Sequence, residues 1–333
     1  MFGLTIVRKL FSISLLVLIV FHIGPASVNG QQNSNTGPLR IALLPILDAL
    51  PYYVAETRGF FEEYEVDVKV VPVASGLERD QLMQSGVIDG MLNEMITTAN
   101  FNRDRIQVQS VITARKAYPR YPLFRVLSSP AVTLTLPAGL DGAAVGISKN
   151  TVIEYVTDRL LAAAGLDPKK IAKKSIPSIP ERYQLLLQGQ LEAATLPDPL
   201  AKSALAAGAQ TVIDDSAHPQ YSVSVLSFKV DALQQKRAAV RAFLKGWDRA
   251  AAEINRDPES HRALLLQKIR VPKNIQATYK IPPFPRREVP NVNQWDDVMR
   301  WMIDKGLLPK ALPYESSVTS VYLPQPGKAG IED

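Results

Sequence analysis

The chain has 333 residues, of which 46% are apolar, and its formal net charge is +6. It contains no cysteine, which excludes disulfides, thiolate metal sites and cysteine nucleophiles. This length can bury a large core and exceeds what one domain usually needs, so we expect two lobes.

Residues 1–30 have the layout of a secretory signal peptide. Arg8 and Lys9 precede an apolar run over residues 10–23, and small residues follow it, which is the pattern of exported proteins. We therefore expect a cleaved signal, a periplasmic or secreted location, and a disordered leader over residues 31–38. An uncleaved membrane anchor is the alternative. A lipoprotein is excluded because there is no cysteine to carry the lipid.

Strands and helices alternate in the section that follows the leader. The predicted elements are a strand over 39–44, a helix over 51–61, a strand over 66–71, a second helix and a strand over 87–92. Ser75 and Glu78 form a capping box that begins the second helix, and Gly86 ends it. This order predicts a parallel sheet with helices on its faces.

The same alternation begins again after residue 142. The predicted elements are a strand over 143–147, helices that begin after Thr151 and Ser178, a strand over 193–196 and a helix that begins at Pro199. Glu154 and Glu181 complete two more capping boxes, and Asp198 is the predicted cap of the last helix.

An internal similarity supports two related units. Residues 83–90 align with residues 186–193, because each segment is a helix end, a glycine, an acidic residue and a buried strand. We therefore predict two similar α/β units that lie side by side.

The last third of the chain departs from this alternation. After a strand over 221–228, the pattern predicts helices over 232–254, 259–269 and 294–305. Residues 279–284 are predicted to form an extended surface connector, and a position at the rim of the cleft is the alternative. Helices without new strands usually cover an existing sheet. The predicted organisation is a first lobe over 39–128, a second lobe over 129–218, and completion of the first lobe by 219–333, with crossovers near 127–133 and 218–224.

Several segments together resemble a known family. They are residues 51–61, 86–90, 140–146, 160–168 and 189–199. In this order and spacing they resemble type II periplasmic substrate-binding proteins of the SsuA/THI5-like (NMT1/THI5-like) group, which serve ABC transporters. The resemblance implies a two-lobed α/β fold, each lobe a mostly parallel sheet flanked by helices. It further implies a monomer without enzyme activity or cofactor that binds a small-molecule ligand by hinge closure and delivers it to a membrane permease.

The ligand site follows from where parallel strands end. Clefts lie beyond the carboxyl ends of such strands, where helix N-termini point and their free N–H groups suit anions. The candidate ligand-binding residues in and beside these loops are Asp48, Tyr52, Ser75, Glu78, Asn93, Glu94, Ser148, Asn150, Thr151, Glu154 and Asp198. Helix capping is an alternative role for Ser75, Glu78, Thr151, Glu154 and Asp198.

The charge of these loops favours a neutral or cationic ligand. Five acidic residues lie in or beside them, against Lys149 and nearby Arg79, and a buried anion needs cationic partners. Tyr52 and Tyr53 suit stacking on a flat ring, which favours a heteroaromatic solute such as a pyrimidine or thiamine precursor. The alternatives are a receptor for aliphatic sulfonate or another organic anion, and a menaquinone-pathway-type lyase. We expect Asn93→Ala and Asp198→Ala to weaken binding with little loss of folding.

Other partners have little support in the sequence. The three histidines are isolated, so no metal site is predicted. A basic stretch between Arg103 and Arg125 is interpreted as a solvated face rather than a nucleic-acid surface, because the protein is expected to be exported.

Overall fold

Two sheets of five strands organise residues 37–325, the part of the chain that the computed structural model describes. Both sheets are flanked by helices, which confirms the predicted two-lobed α/β fold. The predicted signal peptide and the leader up to residue 36 lie outside the described residues.

The first lobe is built on a sheet with the strand order β2-β1-β3-β10-β4. Its strands are β1 (Leu39–Leu43), β2 (Val68–Pro72), β3 (Gly90–Glu94), β4 (Val108–Lys116) and β10 (Val223–Lys229). β1 pairs in parallel with β2 and β3, whereas β10 is antiparallel to both of its neighbours. The start of β10 therefore lies at the carboxyl ends of the other four strands.

The second lobe repeats this arrangement in the order β7-β6-β8-β5-β9. Its strands are β5 (Phe124–Ser128), β6 (Val145–Ile147), β7 (Lys173–Ser175), β8 (Ala193–Pro197) and β9 (Gln210–Asp214). Here β5 is the strand that runs antiparallel to both neighbours. The aligned segments 83–90 and 186–193 lead into β3 and β8, which hold the same place in the two sheets.

Twelve α-helices occur among residues 37–325. They are α1 (Leu50–Thr57), α2 (Phe60–Glu63), α3 (Gly76–Gln84), α4 (Met95–Asn102), α5 (Val152–Ala163), α6 (Ile179–Leu187), α7 (Leu200–Ala206), α8 (Val230–Gln235), α9 (Arg237–Arg256), α10 (Arg262–Lys268), α11 (Val292–Asp304) and α12 (Tyr314–Ser317). None of them is long and apolar enough to cross a membrane.

The helix predicted over 51–61 is divided in two. Gly59 has a φ of 72°, and this left-handed conformation, which glycine adopts readily, interrupts the helix between α1 and α2. The helix predicted to begin at Pro199 begins at Leu200 with Pro199 at its N-cap, so Asp198 does not hold the predicted capping position.

The core of the first lobe lies between its sheet and α9. Phe243 stacks on Phe61 at 5.4 Å and meets the ring of Phe228 edge-on at 6.0 Å. Tyr279 and Phe284, from the segment predicted as a surface connector, are buried in the same cluster at 3% and 2% exposure. Ile281 is buried with them, whereas Lys280, which lies between Tyr279 and Ile281, is exposed.

The lobes are joined by two crossovers, at residues 117–123 and 215–222. The first lies earlier than predicted, because residues 124–128 pair with β8 and β9 in the second sheet. Asp215 ties the crossovers together, since its carboxylate accepts the backbone N–H groups of Leu123 at 2.9 Å and Phe124 at 2.8 Å.

Helix α11 also connects the lobes, although the C-terminal segment was predicted to complete the first lobe alone. It packs on α4 of the first lobe and on α5 of the second. Asp297 accepts hydrogen bonds from Tyr155 at 2.8 Å and from Arg159 at 2.6 Å, and Trp301 donates to Asp158 at 2.9 Å.

Candidate functional site

A cleft of about 590 Å³ lies between the two lobes. Both sheets direct the carboxyl ends of their parallel strands toward it, and residues at the N-termini of α3, α4, α5 and α6 line it. This is the position expected for a ligand site in open α/β sheets.

Eight of the eleven predicted site residues line this cleft. They are Asp48, Ser75, Asn93, Glu94, Ser148, Asn150, Thr151 and Asp198. Residues from five separate loops, each chosen because its loop follows a strand end, therefore line one cavity.

Tyr52 does not reach the cleft. Its side chain is 2% exposed in the core of the first lobe, where the ring packs against Phe61 at 5.4 Å and the hydroxyl donates to Glu56 at 2.8 Å. The Tyr52 ring is therefore not positioned to stack on a ligand.

Glu78 and Glu154 hold cleft loops rather than line the cavity. Glu78 accepts the backbone N–H of Ala74 at 2.7 Å, and Glu154 accepts that of Asn150 at 2.6 Å. Glu154 also pairs with Lys305, which follows α11. Both carboxylates stabilise the turns that precede α3 and α5.

The carboxylates that line the cleft already have partners. Asp48 pairs with Arg115 at 3.0 Å in the first lobe, and Asp198 pairs with Arg125 in the second. Glu94 accepts a hydrogen bond from Thr97 at 2.8 Å. Asp80, which also lines the cleft, and Glu94 lie 2.8 and 3.9 Å from Arg79. The lining residues within 37–325 therefore carry less free negative charge than the sequence alone suggests.

Arg115 and Arg125 also correct the interpretation of the basic stretch as a solvated face. Their side chains are 3% and 9% exposed, since each lies in a buried ion pair at the floor of the cleft. The expected export, on which that interpretation rested, gives no information about whether an arginine is buried.

The cleft residues absent from the predicted site include Arg115, Phe124 and Ser224. Arg115 lies at the carboxyl end of β4, a strand that the sequence pattern did not reveal. Phe124 and Ser224 lie at the starts of β5 and β10, and only the antiparallel direction of these strands brings their first residues to the cleft. The strand predicted over 221–228 was the one available signal.

The second-lobe wall of the cleft lies over a buried arginine. Arg182 on α6 has 0% exposure and donates to the carbonyl of Thr195 at 2.9 Å, the carbonyl of Ile176 at 2.6 Å and the hydroxyl of Ser148 at 3.0 Å. Burial lowers the pKa of its guanidinium to about 10, so it is charged at neutral pH. Lys149 is exposed beside this wall.

A metal ion has no evident site in the described part of the chain. Residues 37–325 contain no group of three or more histidine, aspartate or glutamate side chains arranged to hold one.

Comparisons with known proteins agree with the fold. Residues 47–261 match the model of the family described as NMT1/THI5 like. A Brachyspira hyodysenteriae (strain ATCC 49526 / WA1) protein, whose name describes an ABC transporter periplasmic binding protein, is 21% identical over 262 residues, which cover 75% of each chain.

Solved structures share the architecture at low sequence identity. The periplasmic aliphatic sulphonate binding protein SsuA from Escherichia coli matches with a TM-score of 0.68 and 18% identity, over 89% of this chain and 94% of SsuA. The desulfurization enzyme DSZB matches with a TM-score of 0.61 and 14% identity, over 86% of this chain and 97% of DSZB. One fold thus serves a binding protein and an enzyme.

Proposed function

The chain belongs to the NMT1/THI5-like family, and from this premise we propose that it is the periplasmic ligand-binding component of an ABC import system. The observation that carries the proposal is the cleft between two sheets of the same topology, with strand ends and helix N-termini directed into it. The name of the Brachyspira hyodysenteriae relative supports the same role.

Binding would work by closure of the lobes about the two crossovers. Each crossover is short, and Asp215 joins one to the other. Ser203 on α7 and Asn274 exchange two hydrogen bonds, at 2.7 and 3.0 Å, in a further contact between the lobes. A ligand that contacts both walls stabilises the closed form, and a membrane permease would recognise that form.

For the ligand we propose a small organic anion, such as a sulfonate or carboxylate. Asp48 and Asp198 pair with Arg115 and Arg125. Asp80 and Glu94 both lie beside Arg79, so the cleft carboxylates repel an anion less than free charges would. Arg182 and Lys149 form no ion pair among residues 37–325. Together with the helix N-termini they favour negative charge. SsuA, which has the same fold, binds aliphatic sulphonate.

A neutral heteroaromatic solute is the second candidate. The ring of Phe124 lines the cleft and Asn93 supplies an amide, which suits a flat, hydrogen-bonding compound. A cationic ligand has less support, because each described lining carboxylate already lies close to an arginine side chain.

Thermal shift and calorimetry with three probe sets would test the ligand class. The sets are alkanesulfonates with carboxylates, uncharged pyrimidines, and quaternary ammonium compounds. We expect the melting temperature to rise by roughly 4 °C with an anion at a hundredfold excess over Kd, and to stay unchanged with ammonium compounds. Stabilisation by pyrimidines alone would overturn the anion assignment in favour of the second candidate.

Turnover separates a receptor from an enzyme of the same fold. We expect the bound compound to be recovered chemically unchanged after incubation, as measured by mass spectrometry. Conversion of the compound would contradict the receptor role and favour an enzyme such as a lyase.

Asn93→Ala should weaken binding about tenfold in calorimetric titrations, because one hydrogen bond to the ligand is lost. It should also lower the free energy of unfolding by about 1 kcal/mol, because the hydrogen bond that Asn93 donates to Thr98 at 3.0 Å is lost as well. Unchanged affinity would contradict the placement of Asn93 in the ligand site.

A further inference from the structure

Two buried arginines hold equivalent places in the two lobes. Arg79 on α3 donates to the carbonyl of Leu92 on β3 at 3.1 Å, and Arg182 on α6 donates to the carbonyl of Thr195 on β8 at 2.9 Å. The helices also begin alike, after Ser75 and Ser178. Each arginine therefore ties its helix to the strand that follows it.

The two arginines differ in their acidic partners. Arg79 pairs with Asp80 at 2.8 Å and lies 3.9 Å from Glu94. In the alignment of the two lobes, these two positions are occupied by Tyr183 and Pro197, neither of which carries a charge.

The charge of Arg182 consequently stays unpaired. The acceptors of Arg182 are two backbone carbonyls and the hydroxyl of Ser148, and its Nη2 has no partner among residues 37–325. A fully buried cation without a carboxylate is unfavourable unless something else compensates it. The open side of its surroundings is the cleft, because Ser148 is a lining residue.

We propose that Arg182 determines the charge of the ligand, by favouring an anion against the Ser148 wall of the cleft. This inference rests on the proposed binding function and adds a residue that acts without touching the ligand. The Ser148 hydroxyl accepts from Arg182 at 3.0 Å and donates to the carbonyl of Pro177 at 3.1 Å. A ligand atom in van der Waals contact with that hydroxyl lies within roughly 7 Å of the guanidinium. At that separation the buried charge strengthens the binding of an anion by about ten- to a hundredfold.

The test measures charge preference rather than affinity alone. The probes are matched pairs, benzenesulfonate with benzenesulfonamide and butanesulfonate with butanesulfonamide, each titrated calorimetrically. In the natural protein we expect the anion to bind at least tenfold more tightly than its uncharged partner. Arg182→Met should reduce that preference to about twofold or less, whereas Arg182→Lys, which keeps the charge, should retain most of it.

Arg79→Met combined with Asp80→Asn provides the matched control. This double change removes one positive and one negative charge of an existing ion pair, so it should leave the charge preference within about twofold of its original value. The dependence of the anion preference on salt concentration is a second measurement. The Arg182 contribution should persist in concentrated sodium chloride, since a buried charge is screened little, whereas a contribution from exposed Lys149 should vanish.

Each outcome decides one of the two proposals. An anion preference that survives in both Arg182→Met and Arg182→Gln, with folded protein by circular dichroism, would overturn the role of Arg182 and leave the organic-anion receptor intact. Absence of any anion preference in the natural protein would overturn the proposed ligand class, and the role of Arg182 with it.

Discussion

The two lobes share one backbone design but differ in how they manage buried charge. Both use a serine cap, a left-handed glycine at the helix end and an arginine that donates to the next strand. Only the first lobe neutralises that arginine with carboxylates. Capping and hydrogen bonding therefore maintain the same fold in both lobes, whereas the ion pairs near the cleft differ between them.

Breaking a buried ion pair at the cleft floor should have the largest effect on stability. Asp198→Ala leaves Arg125 buried without its carboxylate, and Asp48→Ala does the same to Arg115 in the other lobe. We expect each to lower the free energy of unfolding by about 3–5 kcal/mol in urea titrations. This revises the expectation that Asp198→Ala spares folding. A loss below about 1 kcal/mol in both variants would contradict the pairing.

The link between the lobes should respond to pH. Burial raises the pKa of Asp215 to about 6, above its value in the unfolded chain, so the folded protein binds the proton more tightly. Its contribution is complete at low pH and is lost as pH rises through 6, which removes about 2–3 kcal/mol of stability between pH 4 and pH 7. The unfolding free energy of Asp215→Asn, measured across that range, should lack this component. If the unfolding free energy of Asp215→Asn depended on pH as that of the natural protein does, the raised pKa of Asp215 would be refuted.

Replacing the unpaired Arg182 should have a moderate effect on stability. Arg182→Met removes three hydrogen bonds but also relieves the burial of an unpaired charge, so we expect a net loss of about 1–2 kcal/mol. That loss is smaller than the effect of breaking either ion pair. If urea unfolding shows a loss above about 4 kcal/mol, the guanidinium must be compensated within the protein.

The helix caps should be equivalent between the lobes. Ser75 accepts the N–H of Glu78 at 3.2 Å, and Ser178 accepts that of Glu181 at 3.3 Å. Ser75→Ala and Ser178→Ala should each reduce stability by about 0.5–1 kcal/mol, and Ser75→Thr and Ser178→Thr should restore most of it. Unequal losses of unfolding free energy, measured by chemical denaturation, would show that the two serine caps do not contribute equally to stability.

Local patterns predicted much of the fold. The alternation of apolar strands with capped helices, together with the similarity of residues 83–90 to 186–193, was sufficient to infer two related sheets. The same patterns missed β4 and β5, which follow one another with no helix between them, and also the edge strands β7 and β9. The first crossover was consequently predicted about ten residues too late.

The location of the candidate site was predicted from the sequence more accurately than its charge. Strand ends and helix starts identified most of the loops that line the cleft, since backbone direction follows from element order. The partners of Asp48 and Asp198 lie 67 and 73 residues away along the chain. Such distances leave no local signal, so the cleft was taken to be acidic.

The order of the elements, their caps and the loops that follow the strands can be inferred from the amino-acid sequence alone, because they depend on neighbours a few residues apart. The electrostatics of the cleft depend on the folded arrangement. Arg115 and Arg125 neutralise its acids from distant strands, and Arg182 stays unpaired because Tyr183 and Pro197 stand where the other lobe has carboxylates. Charge balance depends on three-dimensional proximity, which no short stretch of sequence contains.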